Sequence, residues 1–320
     1  MDAAKRQRLK DRLAATVGYQ IDSMGFVPRD LDKIASHWTP QTEPGEAPEL
    51  PELPKDGDRL AAAINYHYDH VFYDAVGMWA DLLGGTQFRN IGYWEDGTPS
   101  LDAAGCALQD QLLAMIPDKT GTILDVACGM GASTKRLLGH FGAENIWAIN
   151  ISERQIASTL ENVPGCNAQV MNATDLAFDD GFFDAIECIE AAFHFETRLA
   201  FLRESFRVLK PGGWLVMSDV LMTSAARLEQ YPVFPSSENH LEGVSDYEAL
   251  LHDVGFANVT MRDARDQIWR PHFLFTVTAL HEHYLNGKID IVELTDALWR
   301  YYELDVITGA CPLIAAQKPV

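Results

Sequence analysis

Basic residues are scarce in this chain. Lys and Arg number 25 against 46 Asp and Glu, a net charge of −21. No dense Lys/Arg patch stands out, and a field of that sign repels phosphate backbones and anionic lipid. Nucleic acid and membrane surfaces are therefore excluded as expected partners. The simplest use of the acidity is solubility; a cationic substrate is the alternative. Cysteine is also sparse: Cys106, Cys128, Cys166, Cys188 and Cys311 form no C-x-x-C pair and are odd in number. That excludes a disulfide framework or a zinc site, leaves no metal expected, and fits a reducing cytoplasm. No apolar run reaches the length of a membrane span. The N-terminus is basic but lacks an apolar segment before a cleavage site, so it reads as helix rather than signal peptide. No internal repeat is visible.

Hydrophobic residues make up 47%, enough for a substantial core in 320 residues. The first twenty or so read as a charged helix. Thr39–Asp58 holds five prolines among carboxylates, which forbids a packed element and marks a linker. Residues 1–58 thus form a helix and an acidic Pro-rich linker, and 59–320 the main domain. From Arg59 the chain is apolar and aromatic, a helix ending at Gly84-Gly85. "NIGYWEDGTPS" follows as a loop. Ser100 caps a second helix, Leu101 to Ile116, with Leu101, Ala104, Leu108 and Met115 on one face. After Gly121 short apolar runs ("TILDVA", "NIWAIN", "AQVMN", "FDAIECI", "WLVMSDV") alternate with amphipathic helices, one of them Glu196 to Leu209. Such alternation implies parallel strands joined by right-handed crossovers, a doubly wound sheet with ligands beyond the strands' carboxyl ends. Further on, "SDYEALLHDVGF", Phe273–Asn286 and Val292–Leu304 read as helices, and "NVTMRDAR" and "LIAAQKP" as strands.

"ILDVACGMGAST" (Ile123–Thr134) reads as a buried strand running into a glycine turn. A Walker loop requires Gly-Lys-Ser/Thr at its end, and Lys135 has no glycine before it. A dinucleotide turn requires G-x-G-x-x-G; Gly129 and Gly131 supply two glycines, but Thr134 stands at the third. The next strand ends in Asn150 instead of the carboxylate that nicotinamide enzymes use for ribose. Ser152 and Gln155 fit a capping box, and Gln155 could also face a ribose.

"ILDVACGMGAST", "AINISERQIA", "NATDLAFDDGFFDAIECIEAAFHF" and "VLKPGGWLVMSDV" occur in the order and spacing of class I S-adenosylmethionine (SAM)-dependent methyltransferases. The chain resembles small-molecule methyltransferases of natural-product pathways, most of all the sugar O-methyltransferases of macrolides and indolocarbazoles, which share the "NIGYW" loop (Asn90–Trp94). The likeness covers roughly Val71 to Pro319. It implies a Rossmann-like, doubly wound, mostly parallel seven-stranded sheet with an N-terminal helical extension or lid. The expected parts are a lid (59–116), a SAM-binding core (117–222) and a substrate-side insertion with C-terminal strands (223–320).

Residue by residue, the resemblance places Asp125 near the amino-acid part of SAM. Ala127, Gly129 and Gly131 form the turn beneath it. Ala127 departs from the family's usual glycine, and its methyl is tolerable only at negative φ. Asn150 and Gln155 bind ribose, Asn172 and Ala173 the adenine, and Glu190 the methionine end or the substrate. Tyr93 and Trp94 offer rings to the sulfonium, with core packing or a lid hinge as the alternative for both.

Methyl transfer needs acceptor, methyl and sulfur in line. A hydroxyl acceptor usually needs a base, whereas amines and thioethers need mainly positioning. The family's sugar methyltransferases carry a histidine and an aspartate where this chain has His194 and Asp219. The resemblance thus implies O-methylation of a small-molecule hydroxyl, with His194 as general base and Asp219 orienting it or binding the acceptor. The alternatives are a solvent-facing histidine and a loop-capping aspartate. N- or S-methylation of a polar metabolite, by proximity and desolvation without a base, is the rival chemistry. His67 and His70 could face substrate under a lid, and "DQIWRPHF" could line the acceptor pocket. The N-terminal helix could be a lid or the swapped arm of a homodimer.

Overall fold

The computed structural model describes residues 19–22, 25–28, 59–74, 77–223 and 239–320. The expected linker and most of the expected insertion lie outside these residues. So does the N-terminal helix, except that Tyr19–Asp22 (β1) is a strand paired antiparallel with Gly25–Pro28 (β2). The single helix expected from Arg59 is two: Arg59–Tyr73 (α1) and Gly77–Leu83 (α2). Leu101–Leu113 (α3) follows, with Ser100 as N-cap accepting from the Ala103 N–H.

The strand–helix alternation then runs as the apolar runs predict. Its elements are Ile123–Val126 (β3), Ala132–Leu137 (α4), Ile146–Asn150 (β4), Glu153–Asn162 (α5), Asn167–Val170 (β5), Phe183–Ile189 (β6), Arg198–Val208 (α6) and Leu209–Ser218 (β7). Leu221–Met222 (β8), Val244–Val254 (α7), Ala257–Asp263 (β9), Trp269–Leu285 (α8), Ile291–Ile307 (α9), Thr308–Ala310 (β10) and Pro312–Gln317 (β11) complete the described chain. Helix α8 takes in the last five residues of "DQIWRPHF", because Pro271 sits in its first turn, where a missing N–H costs nothing.

Seven strands form one sheet in the order β5-β4-β3-β6-β7-β11-β9. The first five are parallel neighbours, and β11 runs antiparallel between β7 and β9. Helices cover both faces, so alternate residues of one strand enter opposite cores. Ile123, Val216 and Leu313 pack on one side with Leu108, Leu112, Trp269 and Tyr302. Leu124, Leu215 and Ile314 pack on the other with Phe201, Leu202 and Tyr247. The chain winds outward from β3 through β4 to β5, then returns to β6 on β3's other side. That reversal opens a crevice at the carboxyl ends of β3 and β6, the place where such sheets bind ligands.

Candidate active site

The crevice is a cleft of about 1180 Å³, and nine of the expected site residues line it: Asp125, Ala127, Gly129, Asn150, Gln155, Asn172, Ala173, Glu190 and His194. Asp125 ends β3 with Oδ2 accepting from the hydroxyls of Ser133 (2.8 Å) and Thr134 (2.7 Å). Thr134 therefore does at this turn what a third glycine cannot, fixing the carboxylate from the start of α4. Parallel register sets Glu187 beside Asp125. Burial pushes both carboxyls up, Asp125 to about 6. Glu187, which sequence reading missed, takes a hydrogen bond from Gln109 Nε2 at 2.8 Å.

Ala127 has φ 60. The requirement of negative φ is thus overturned: alanine accepts the left-handed conformation, at a cost of about 1–2 kcal/mol. Glu190 is also left-handed, with φ 47. Its Oε2 accepts from the Ile91 N–H at 2.5 Å, and its Oε1 is buried without a partner among the described residues. Burial pushes its carboxyl up from an ordinary 4.5 to about 8. Asn65 Oδ1 and Asn90 Oδ1, also in the cleft wall, are equally unpartnered. Asn65 and Asn90 thus offer open acceptors, which suit a ligand bearing an ammonium or hydroxyls, and Arg89 Nε in the same wall is a buried donor without a partner among the described residues.

Helix α1 roofs this cleft. Leu60, Ile64, Tyr68 and Phe72 recur every four residues and all line it. A Cβ on Gly129 would come within 3.0 Å of the Phe72 ring, so that ring lies directly on the glycine turn. The Tyr68 hydroxyl lies 2.5 Å from His194 Nε2. Burial pushes the phenol well above its ordinary range, so it stays protonated. When Nδ1 carries the imidazole proton, the Tyr68 hydroxyl donates to Nε2; when Nε2 carries it, the hydroxyl accepts. His67 and His70, the histidines expected to face substrate, are exposed on the outer side of α1. Tyr68 is the residue of this helix that lines the cleft at His194, and the four-residue spacing of 60, 64, 68 and 72 was the available signal.

Four expected site residues lie elsewhere. Tyr93 is not in the cleft wall; the Arg262 guanidinium lies 5.4 Å over its ring. Trp94 is 8% exposed, packed on Leu101, Ala104 and Phe275 with its indole N–H donating to Ile91 O. Core packing therefore takes both rings. Gly131 faces α5 instead of the cleft, since a Cβ there would meet Thr159 Cα at 3.0 Å. Asp219 is fully buried and bound by Arg198 Nε (2.7 Å), the Tyr247 hydroxyl (3.0 Å) and the Val220 N–H (2.8 Å). Its acceptor capacity goes to that network, and Tyr68 instead supplies a partner for His194. The expected capping box is half formed: Ser152 accepts from the Gln155 N–H, but the Gln155 side chain goes to Asn150 and Asp69. Gln267 donates no side chain to the cleft; its carbonyl receives the Trp94 N–H, and "DQIWRPHF" lies outside the cleft wall. Among the described residues no His/Cys/Asp/Glu cluster could hold a metal, and no helix is long and apolar enough to cross a membrane.

The family described as "Methyltransferase domain" matches residues 124–217, from β3 to β7. The O-methyltransferase cnsE of Penicillium expansum is 31% identical over 242 residues, 70% of this chain and 84% of that protein. The chain belongs to the SAM-dependent methyltransferase family. A second relative, the 27-O-demethylrifamycin SV methyltransferase of Amycolatopsis mediterranei, is 27% identical across 62% of this methyltransferase and 76% of its own length. Among solved structures, phosphoethanolamine N-methyltransferase 2 of Haemonchus contortus in complex with SAM shares the fold. Its TM-score is 0.63 at 17% identity, covering 83% of this methyltransferase and 61% of that longer chain. The matched span 124–217 carries the cleft floor, whereas α1 and its inward stripe precede it.

Proposed function

We propose that this methyltransferase methylates a hydroxyl of a small-molecule metabolite. The observation that carries the reading is His194, a buried imidazole in the wall of the cleft that also holds the cofactor-type residues, its Nε2 against the Tyr68 hydroxyl. The name of the Penicillium expansum relative, an O-methyltransferase, supports it. SAM supplies a methyl group carried on a positively charged sulfur. Glu190 and the paired Asp125–Glu187 carboxyls provide negative or proton-sharing groups near that charge. Ala127 and Gly129 form the floor, and the Phe72 ring that lies over Gly129 would lift for a bulky ligand to lie there. Asn172 has Oδ1 held by the Thr174 N–H and hydroxyl, each at 3.0 Å, which leaves its amide N–H₂ and the buried Ala173 backbone for an adenine ring. Phe72 and Tyr68 exclude water from above. With SAM bound, an acceptor hydroxyl would take the place of the Tyr68 hydroxyl at Nε2 and give up its proton there as its oxygen bonds the methyl carbon and the carbon–sulfur bond breaks, leaving S-adenosylhomocysteine.

The test is His194→Ala, assayed with an acceptor found by screening metabolite pools. Turnover is expected to fall by about 10²-fold or more, with S-adenosylhomocysteine affinity retained. Undiminished turnover would remove the base and point to an N- or S-acceptor that needs only positioning.

A further inference from the structure

The ribose-reading position of this fold is the end of the second strand, and here the residue there is an amide already engaged at both ends. Asn150 Oδ1 accepts from the Ser152 N–H at 3.0 Å, and its Nδ2 donates to Gln155 Oε1 at 3.1 Å. Gln155 is engaged as well, its Nε2 donating to Asp69 Oδ1 at 2.8 Å. Asp69 belongs to α1, and its Oδ1 also accepts from the Ser152 hydroxyl at 2.8 Å. A carboxylate therefore stands at the start of α5, beside the strand end that lacks one, delivered from a helix 83 residues away in sequence. Its Oδ2 has no hydrogen bond among the described residues.

Asn65, one turn earlier on α1, completes the picture. Its Nδ2 donates to Ile151 O at 3.0 Å, which leaves its Oδ1 buried and unpartnered in the cleft wall. A shallow groove lined by Asn65, Asp69, Ile151 and Ser152 joins the cleft at this edge. Two acceptor oxygens from one helix stripe thus face the edge where a vicinal diol, with two donors, would lie. Tyr73, the next member of the stripe, holds the register: its hydroxyl donates to Arg154 O at 3.0 Å, and the Arg154 guanidinium covers its ring at 3.7 Å.

We propose that Asp69, with Asn65, reads the ribose hydroxyls of the cofactor, so that α1 carries the carboxylate that strand β4 does not. This rests on the assignment of the cleft to SAM. A carboxylate acceptor discriminates strongly for a hydroxyl over its absence.

The experiment titrates the full chain with S-adenosylhomocysteine and with its 2′,3′-dideoxyribose analogue, for the wild type and Asp69→Asn. The wild type is expected to prefer the ribose form by about tenfold or more, and Asp69→Asn to lose most of that preference while still melting cooperatively. Comparing two ligands on one variant separates ribose reading from undocking of α1, which weakens both ligands alike. Retention of the wild-type preference in Asp69→Asn would overturn the proposal, as would a wild type indifferent to the hydroxyls. A wild type that binds neither ligand would overturn the cofactor assignment and this inference with it.

Discussion

Two residues at the mouth of the cleft hold backbone conformations that side chains disfavour, Ala127 at φ 60 and Glu190 at φ 47. Both follow sheet strands whose carboxyl ends form the crevice, and such strain gathers where a site dictates the backbone. For Ala127 the remedy is a glycine. Ala127→Gly relieves the contact of Cβ with the backbone, less the entropy glycine loses on folding, and should stabilise by up to about 1 kcal/mol. Denaturant unfolding reads it, and a destabilised variant would refute the strain. Glu190 yields a pH prediction. Burial raises its carboxyl to about 8, with the Ile91 N–H opposing and Asp219 adding. The folded state then holds a proton that the unfolded state releases above about 4.5. This contribution is complete below that value and declines as pH rises towards about 8. The melting temperature of ligand-free protein should therefore fall across that window, and less steeply in Glu190→Gln. Equal slopes in the two proteins would dismiss the shift.

At the scale of elements, the glycine turn is divided between two tasks. Gly129 makes room for the Phe72 ring of α1, while Gly131 lets α4 approach α5. Gly131 has φ 86 and only 3.0 Å between its would-be Cβ and Thr159 Cα. Gly131→Val should destabilise by about 3 kcal/mol or more through strain and overpacking, and should weaken S-adenosylhomocysteine binding as a consequence of the displaced turn. Thermal melting with and without the ligand separates the two effects. A stable variant would show that α4 and α5 can part at no cost. The turn itself was readable, since strand, glycines and the Thr134 hydroxyl lie within a dozen residues. The direction each glycine faces was not, because Phe72 and Thr159 come from other elements.

At the scale of the molecule, the buried Arg198–Asp219 pair ties the start of α6 to the end of β7 and to Asn239. Arg198 is 4% exposed and Asp219 fully buried. The Arg198 backbone and guanidinium both bond Asn239, and the Asp219 N–H donates to Pro312 O at 3.2 Å. Removing one member strands the other's charge, so Asp219→Ala should cost about 3–5 kcal/mol of stability. Loss of activity in that variant should track the unfolded fraction, with an unchanged pH profile in what remains folded. A stable Asp219→Ala enzyme whose pH–rate profile has shifted would return Asp219 to the chemistry. The catalytic reading of the strand-end aspartate came from the resemblance to sugar methyltransferases, whereas its partners Tyr247 and Arg198 are set by packing.

The order of strands and helices, the switch point and most of the cleft floor follow from the chain alone. Periodicity and turn chemistry act over a few residues, so Asp125, Gly129, Asn150 and Glu190 are placed as soon as their strands are. Folding in three dimensions assigned the roof and the partners. Tyr68 meets His194 across 126 residues, and Asp69 meets Ser152 across 83. Contacts of that range depend on how α1 docks, which no local pattern encodes. The same docking and packing send Trp94 into the core and Gly131 against α5, where an amphipathic ring or a bare backbone had two uses and the surrounding surface chose one.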